Sequence, residues 1–127
     1  FTADNYLLLR ANAEDIWQLL LDDDRRLAHH YLLYPNPWPK SKHLQRRVHG
    51  HPGFVRLLAL GGHIELRSNW QLYVEEFGCA MHIAGARACV SRVSGEPALT
   101  LFEEKYRRSE HHLWRCSATV AVTDTGL

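Results

Sequence analysis

The stretch Tyr34-Pro35-Asn36-Pro37-Trp38-Pro39-Lys40 is the part of this sequence most directed toward chemistry. Three prolines in five residues fix φ and push each preceding residue to extended geometry, so residues 35–39 form a stiff loop and not a helix. That loop presents an amide (Asn36) able to accept and donate hydrogen bonds and an indole (Trp38) able to stack. Lys42, His43, Arg46 and Arg47 follow it. Residues 25–64 hold seven Lys and Arg and no acid, whereas residues 1–24 hold six acids and one base. Such segregation is the footprint of a polyanion-binding face, and a solvated basic surface is the plainer alternative. Within the segment, Lys40 and Arg46 are the best candidates for phosphate contact.

Elements of regular structure must position these side chains. Residues 6–9 are wholly apolar and read as a short buried strand. Residues 14–21 read as a helix with acids in its first turn, and residues 22–24 as a turn. Residues 30–34 form a second apolar strand that Pro35 stops. Pro52 opens a helix running to Leu60, which Gly61-Gly62 ends. Residues 63–67 alternate as a strand, and Ser68 or Asn69 caps a helix with Trp70, Tyr73, Val74 and Phe77 at helical spacing. Residues 88–93 read as a strand before a Ser94-Gly95 turn, residues 100–109 as a helix and residues 112–122 as a final strand. Trp17, Phe54, Leu57 and Phe77 read as core. Alternating strands and helices imply an α/β domain, with a mostly parallel sheet and helices on both faces. Ligands in such sheets bind beyond the carboxyl ends of the strands. Residues 11–13, 35–40 and 68–69 would share that edge, which favours a functional reading of the basic segment.

Composition narrows the class. With 127 residues, 46% hydrophobic and 23% charged, the chain is neither disordered nor low-complexity, and one domain accommodates it. No apolar run approaches the roughly 20 residues of a membrane span. Its three cysteines, Cys79, Cys89 and Cys116, include no C-x-x-C pair and read as the reduced thiols of a cytoplasmic protein. His49 and His51 are spaced H-x-H near His43, yet no Cys or acid in that segment completes a metal set.

The proline loop, Lys40, Lys42-His43 and Arg46-Arg47 resemble the tRNA (guanine-N7)-methyltransferase family, whose strand end reads aromatic-Pro-Asp-Pro-Trp followed by Lys, His and paired Arg. The resemblance continues in order. Arg10-Ala11-Asn12-Ala13 is similar to the segment after that family's third strand. Gly61-Gly62, then Ser68-Asn69-Trp70 with Tyr73, resemble its Gly-Gly, strand, Thr-Asp and Tyr. Thr100-Leu101-Phe102-Glu103, with Arg108, His111 and Trp114, resembles its C-terminal Thr-x-Phe-Glu block.

The resemblance implies a class I, Rossmann-like methyltransferase that uses S-adenosylmethionine and acts on a guanine of tRNA. Asn12 and Ala13 would then sit at the cofactor's adenine, and Asn36 between cofactor and guanine as the catalytic position. Lys40, Lys42, His43, Arg46, Arg47, Ser68, Asn69, Tyr73, Thr100, Phe102, Glu103 and Arg108 would contact substrate, and no metal is expected. Glu103 also has a purely structural partner available in Arg107, four residues on. The chain departs from the pattern where Asn12, Asn36 and Asn69 stand for the usual Asp, and Ser68 for Thr.

The departures matter chemically. Guanine N7 carries a lone pair and no proton, so methyl transfer to it needs alignment and desolvation, not a general base. Positive charge develops on the base, and a carboxylate at position 36 would stabilise it. An amide carries no charge, and losing one preorganised partner costs about 10²–10³ in rate. A relative that binds RNA without catalysis is therefore the alternative. A further alternative is an amino-group methyltransferase, because Asn36-Pro37-Trp38 partly resembles the Asn-Pro-Pro-aromatic motif. No G-x-G-x-G turn occurs in the sequence and the first residue is Phe1. The expectation is a C-terminal partial domain, residues 1–127, lacking the first two strands and binding the cofactor poorly by itself.

Overall fold

The computed structural model describes residues 2–3, 5–94, 97–108 and 112–121, with backbone only at residues 2, 3 and 107. Phe1, Gly95, Ser109, His111 and Val122, on which parts of the sequence reading fall, lie outside them. The elements in chain order are β1 (Thr2–Ala3), β2 (Tyr6–Leu7), α1 (Ala13–Asp22), β3 (His29–Leu33), α2 (Phe54–Leu60), β4 (Gly62–Ser68), α3 (Gln71–Ile83), β5 (Arg87–Arg92), α4 (Leu101–Arg108) and β6 (Trp114–Val120). Two short 3₁₀ turns, Ser41–Arg46 and Val48–Gly50, shape the basic segment.

The main sheet has the order β3-β4-β6-β5. β3 and β4 pair in parallel, from His29 opposite His63 to Leu33 opposite Arg67. β6 pairs antiparallel with both β4 and β5. Three of the four strands therefore share a direction, while only one of the three pairings is parallel, fewer than the sequence reading expects. The physical reason lies in the connections. α2 and α3 carry the chain back across the sheet before β4 and β5, as parallel crossovers require. The connection through α4 instead starts and ends at one edge, with Arg92 opposite Trp114, so β6 must enter reversed.

The expected strand at residues 6–9 is a second correction. Tyr6–Leu7 pairs antiparallel with Thr2–Ala3 in a separate ribbon. Its apolar side chains, and Leu8 and Leu9 after them, are 53–66% exposed. A four-residue apolar run encodes burial but not the strand beside which it lies.

α2 and α3 cover one sheet face, and α1 stacks on α2. The core between them is Leu57, Ile64, Leu66, Tyr73, Val74, Phe77, Met81, Cys116 and Ala118. Alternation along β4 turns Glu65 and Arg67 to the opposite face, where α4 meets it through Glu103. Helix cover is thus unequal on the two faces. The turn from α2 into β4 depends on glycine. Gly61 has φ 70° and Gly62 has φ 89°, and a Cβ on Gly62 would lie 2.1 Å from the Leu27 carbonyl oxygen.

Candidate functional site

The basic segment leaves the carboxyl end of β3 through Tyr34, whose N–H donates to the Arg67 carbonyl at 2.9 Å and prolongs the ladder by one bond. Tyr34 and Trp38 both adopt positive φ, 55° and 47°. Such backbone costs an aromatic residue about 1–3 kcal/mol and persists only where its surroundings impose it. Here the surroundings are identifiable. Asn36 Oδ1 accepts from the Trp38 N–H at 3.2 Å, closing an Asx turn. Arg47 then grips the loop from below. Its Nε donates to the Trp38 carbonyl at 3.1 Å and its Nη2 to the Pro39 carbonyl at 3.3 Å.

Arg47 is 3% exposed, packs its guanidinium over the Trp70 ring at 5.0 Å and bonds Glu76 Oε1 at 2.6 Å. His49 Nε2 meets the same carboxylate oxygen at 3.0 Å. Burial pushes the Glu76 carboxyl upward, but the hydrogen bonds from Arg47 and His49 outweigh it and hold it below its usual range. Arg47 thus acts as a buried strut between the loop and α3. Tyr73 is likewise fully buried, its hydroxyl oxygen accepting from the Val48 N–H at 3.1 Å. The structure places Tyr73 in the core cluster.

The outer side of the segment is different. Lys40, Lys42, Arg46 and Asn36 are exposed, and His43 is half-buried. Arg46 lies over the Trp38 ring at 4.9 Å, and His43 meets that ring edge-on at 5.2 Å. The neighbouring histidines serve locally. His51 Nδ1 accepts from the Gly53 N–H at 2.9 Å, and its Nε2 lies 3.3 Å from Glu14 of α1. That contact sets the first turn of α1 against the end of the basic segment. Asn12 is the N-cap of α1, its Oδ1 accepting from the Glu14 N–H at 3.4 Å, and Ala13 is the first helical residue.

The C-terminal block also divides. Thr100 Oγ1 accepts from the Glu103 N–H at 3.1 Å, capping α4. Glu103 is wholly buried and bonds the Tyr34 hydroxyl at 2.6 Å, Arg67 Nη1 at 2.8 Å and the Leu99 N–H at 2.9 Å. Arg67 also bonds Glu65 at 2.7 Å. Burial pushes the Glu103 carboxyl up, yet the bonds from Tyr34, Leu99 and Arg67 hold it below the usual carboxylate range. Glu103 fastens α4 to β4 and to Tyr34 at the end of β3, while Thr100 caps α4 itself. Arg107, the structural partner available four residues on, has its side chain outside the described residues. Ser68 is buried, its Oγ accepting from the Trp70 N–H at 3.1 Å. Arg108 is exposed and pairs with Glu104. Phe102 is 39% exposed and sits 4.6 Å from the Tyr34 ring and 4.2 Å from that of Tyr106.

Asn69 is exposed at the end of β4, at the mouth of a cleft of about 500 Å³ that Gln71, Tyr106, His112 and Trp114 also line. Only Asn69 of these five is singled out as a contact by the sequence, and Trp114 only as part of a block. The Thr-x-x-Glu spacing signals a helix cap at Thr100. No local signal ties Glu103 to Arg67, or Arg47 to Glu76. The arrangement as a whole offers a rigid loop with cations outward beside an aromatic and amide cleft. That combination suits a polyanion carrying planar groups.

The family model described as "Putative methyltransferase" matches residues 2–116. A "tRNA (guanine-N(7)-)-methyltransferase" of Geobacillus thermodenitrificans is 29% identical over 125 residues, covering 90% of this chain and 56% of the relative. One of Stutzerimonas stutzeri is 33% identical over 102 residues, covering 72% and 42%, and one of Sodalis glossinidius is 32% identical, covering 84% and 49%. The chain spans about half the length of the curated relatives it matches. With the family model extending over most of its length, the chain belongs to this methyltransferase family.

Proposed function

We propose that this chain is the substrate-binding, C-terminal part of a Rossmann-like, S-adenosylmethionine-dependent methyltransferase that acts on N7 of a guanine in tRNA. The observation that carries this reading is the 35–40 loop. It is held in strained backbone by buried Arg47 and presents Lys40, Lys42 and Arg46 to solvent. A loop fixed before its partner arrives aligns a substrate without further ordering cost. The names of the relatives and the acid-free stretch around the loop support tRNA as the polyanion.

S-adenosylmethionine, when bound, supplies an electrophilic methyl group. Asn12, Ala13 and Asn36 would hold part of the cofactor: both amides are exposed, Asn36 just past the end of β3 and Asn12 at the start of α1. They offer no counterpart to the glycine-rich turn that the sequence lacks. The chain's own work is binding. Lys40, Lys42 and Arg46 neutralise phosphates, Trp38 and Phe102 supply stacking faces, and the buried Arg47–Glu76 pair keeps the loop from yielding. No proton need be moved, because N7 carries none.

One observation favours a second reading, RNA binding without catalysis. The Asn36 side-chain oxygen Oδ1 already accepts from the Trp38 N–H and bears no charge to offset that developing on the base.

The test is radiolabelled methyl transfer from S-adenosylmethionine to bulk tRNA by the complete protein, with the modified nucleoside identified by mass spectrometry. 7-Methylguanosine is the expected product. A methylated exocyclic amine would replace this reading with amino-group methylation. No incorporation, with salt-sensitive tRNA binding retained, would establish the second reading.

A further inference from the structure

α3 turns one side to the core through Tyr73, Val74, Phe77 and Met81, and its other side leaves Leu72, Glu75, Cys79, His82 and Ile83 exposed. Glu75, Cys79 and Ile83 are spaced by four, so they form one ridge along that outer side. A groove runs along each flank of the ridge, and all three residues line both grooves. One groove, of about 570 Å³, lies toward β5 over Gly78, Ala88 and Val90. The other, of about 520 Å³, lies toward the basic segment among Leu72, Ala80 and Leu44. The face is apolar where it protrudes: Ile83 is 86% exposed, and Leu72 and Leu44 are each 48% exposed. A contiguous apolar face of this kind marks an interaction site.

Shape and charge both point to the occupant. Ridges of residues spaced by four pack into grooves of the same spacing, with the helix axes crossing at about 50°. This face holds both the ridge and the groove that receives it. It is therefore its own complement, as a two-fold contact requires. Charge also varies along the helix. Both acids of α3, Glu75 and Glu76, sit in its first half, whereas His82 lies in its last turn and Arg87 opens β5 just beyond it. A parallel arrangement would oppose acids to acids. An antiparallel one sets the acidic half of each helix beside the His82 and Arg87 end of the other, and a two-fold axis across the helix generates that arrangement. The acids also set this face apart from the cationic edge that suits a polyanion.

We propose that the outer face of α3 is a two-fold interface between copies of this chain, with the Glu75–Cys79–Ile83 ridge of each seated in the groove of the other beside Leu72 and Leu44. Cys79 then lies at the centre, and Ile83 of one copy packs on Leu72 of the other. Leu44 and His49 belong to the basic segment, so the contact also braces that segment from behind. One particle thereby carries two cationic edges. The proposal stands apart from the methyl-transfer reading, and its test involves neither cofactor nor RNA.

Sedimentation equilibrium of the full chain should show a reversible monomer–dimer system with a dissociation constant of about 10 µM, as suits a small interface. Ile83→Glu, at a position too exposed to affect folding, should raise that constant about tenfold or more by burying a carboxylate in each half of the contact. Glu75→Lys and His82→Glu should each weaken the dimer, and the double variant should recover it. Within one chain those two residues stand about 10 Å apart along the helix, too far for a direct pair, so recovery would report the contact between copies. A thiol reagent locates the centre. In the dilute, monomeric chain Cys79 and Cys89 should both react quickly, and with rising protein concentration Cys79 alone should slow. A chain still monomeric at about 300 µM would overturn the proposal and leave the face to a different protein. A dimer that Ile83→Glu leaves intact, with Cys79 and Cys89 equally reactive at every concentration, would also overturn it, because its contact would lie elsewhere.

Discussion

Arg46 lays its guanidinium over Trp38 at 4.9 Å in the open, while Arg47, one residue on, is buried and bonded to two loop carbonyls and Glu76. Their substitutions should therefore separate. Arg47→Ala leaves the two loop carbonyls without their side-chain donor and Glu76 with only His49, and should cost about 3 kcal/mol, read as a lower urea midpoint. Arg47→Lys should recover only part of it, because an ammonium cannot span three acceptors set around a planar fork. Arg46→Glu should barely move the midpoint, yet weaken tRNA binding and flatten its dependence on salt. Cysteine reactivity also follows burial. Cys79 and Cys89 are exposed, while burial pushes the Cys116 thiol to about 11. A native chain at pH 8 should take up two equivalents of a thiol reagent quickly and the third only on unfolding.

At the level of elements, α4 is fastened by one side chain. Glu103 receives bonds from Tyr34, Leu99 and Arg67 and is held below its ordinary value. A carboxyl depressed in the folded state contributes stability above the unfolded value of about 4.3, and that contribution is lost as pH falls through the folded value. Burial likewise pushes the His30 imidazole down, against its bond to the Gly61 carbonyl. A depressed imidazole contributes fully above about 6.5 and loses that contribution as pH falls from there toward its folded value. Stability should thus decline in two stages on acidification, the first assigned to His30 and the second shared by Glu103 and Glu76. Urea midpoints measured from pH 8 to 3 test this. His30→Asn should remove the first stage, and Glu103→Gln should weaken the second and speed amide exchange over α4. Between α2 and β4, Gly62→Ala should cost more than about 2 kcal/mol, because it adds both a positive-φ penalty and a clash with the Leu27 carbonyl.

The whole molecule joins a four-stranded sheet, helices crowded on one face and a cationic edge. Among the described residues no helix is long and apolar enough to cross a membrane. On the proposed function Asn12, Ala13 and Asn36 would hold part of the cofactor, and the sequence has no G-x-G-x-G turn. Calorimetric titration of this chain with S-adenosylmethionine should show no saturable micromolar binding, whereas tRNA binding should persist and fall steeply with salt. Micromolar cofactor affinity in the isolated chain would show that the three residues suffice.

Much was legible before any fold was known. Periodicity located α1 to α4 and β3 to β6 within a few residues, because burying one side of an element leaves its period in the sequence. The proline loop and the cation run were visible because both effects are local. The Thr100-x-x-Glu103 spacing carries a capping signal, which the sequence reading passes over in assigning Thr100 to substrate. Which cations face solvent was not legible. Arg46 and Arg47 are the same residue type, and only the packing of α3 brings Glu76 and Trp70 beneath one of them. Nor could spacing foretell that Glu103 would meet Arg67, 36 residues away, or that Tyr106 and Trp114 would line one cleft with Gln71. Sequence determines what each segment tends to be. Tertiary structure alone decides which polar groups meet, because charge pairing and cleft formation depend on distances between segments that the chain order does not contain.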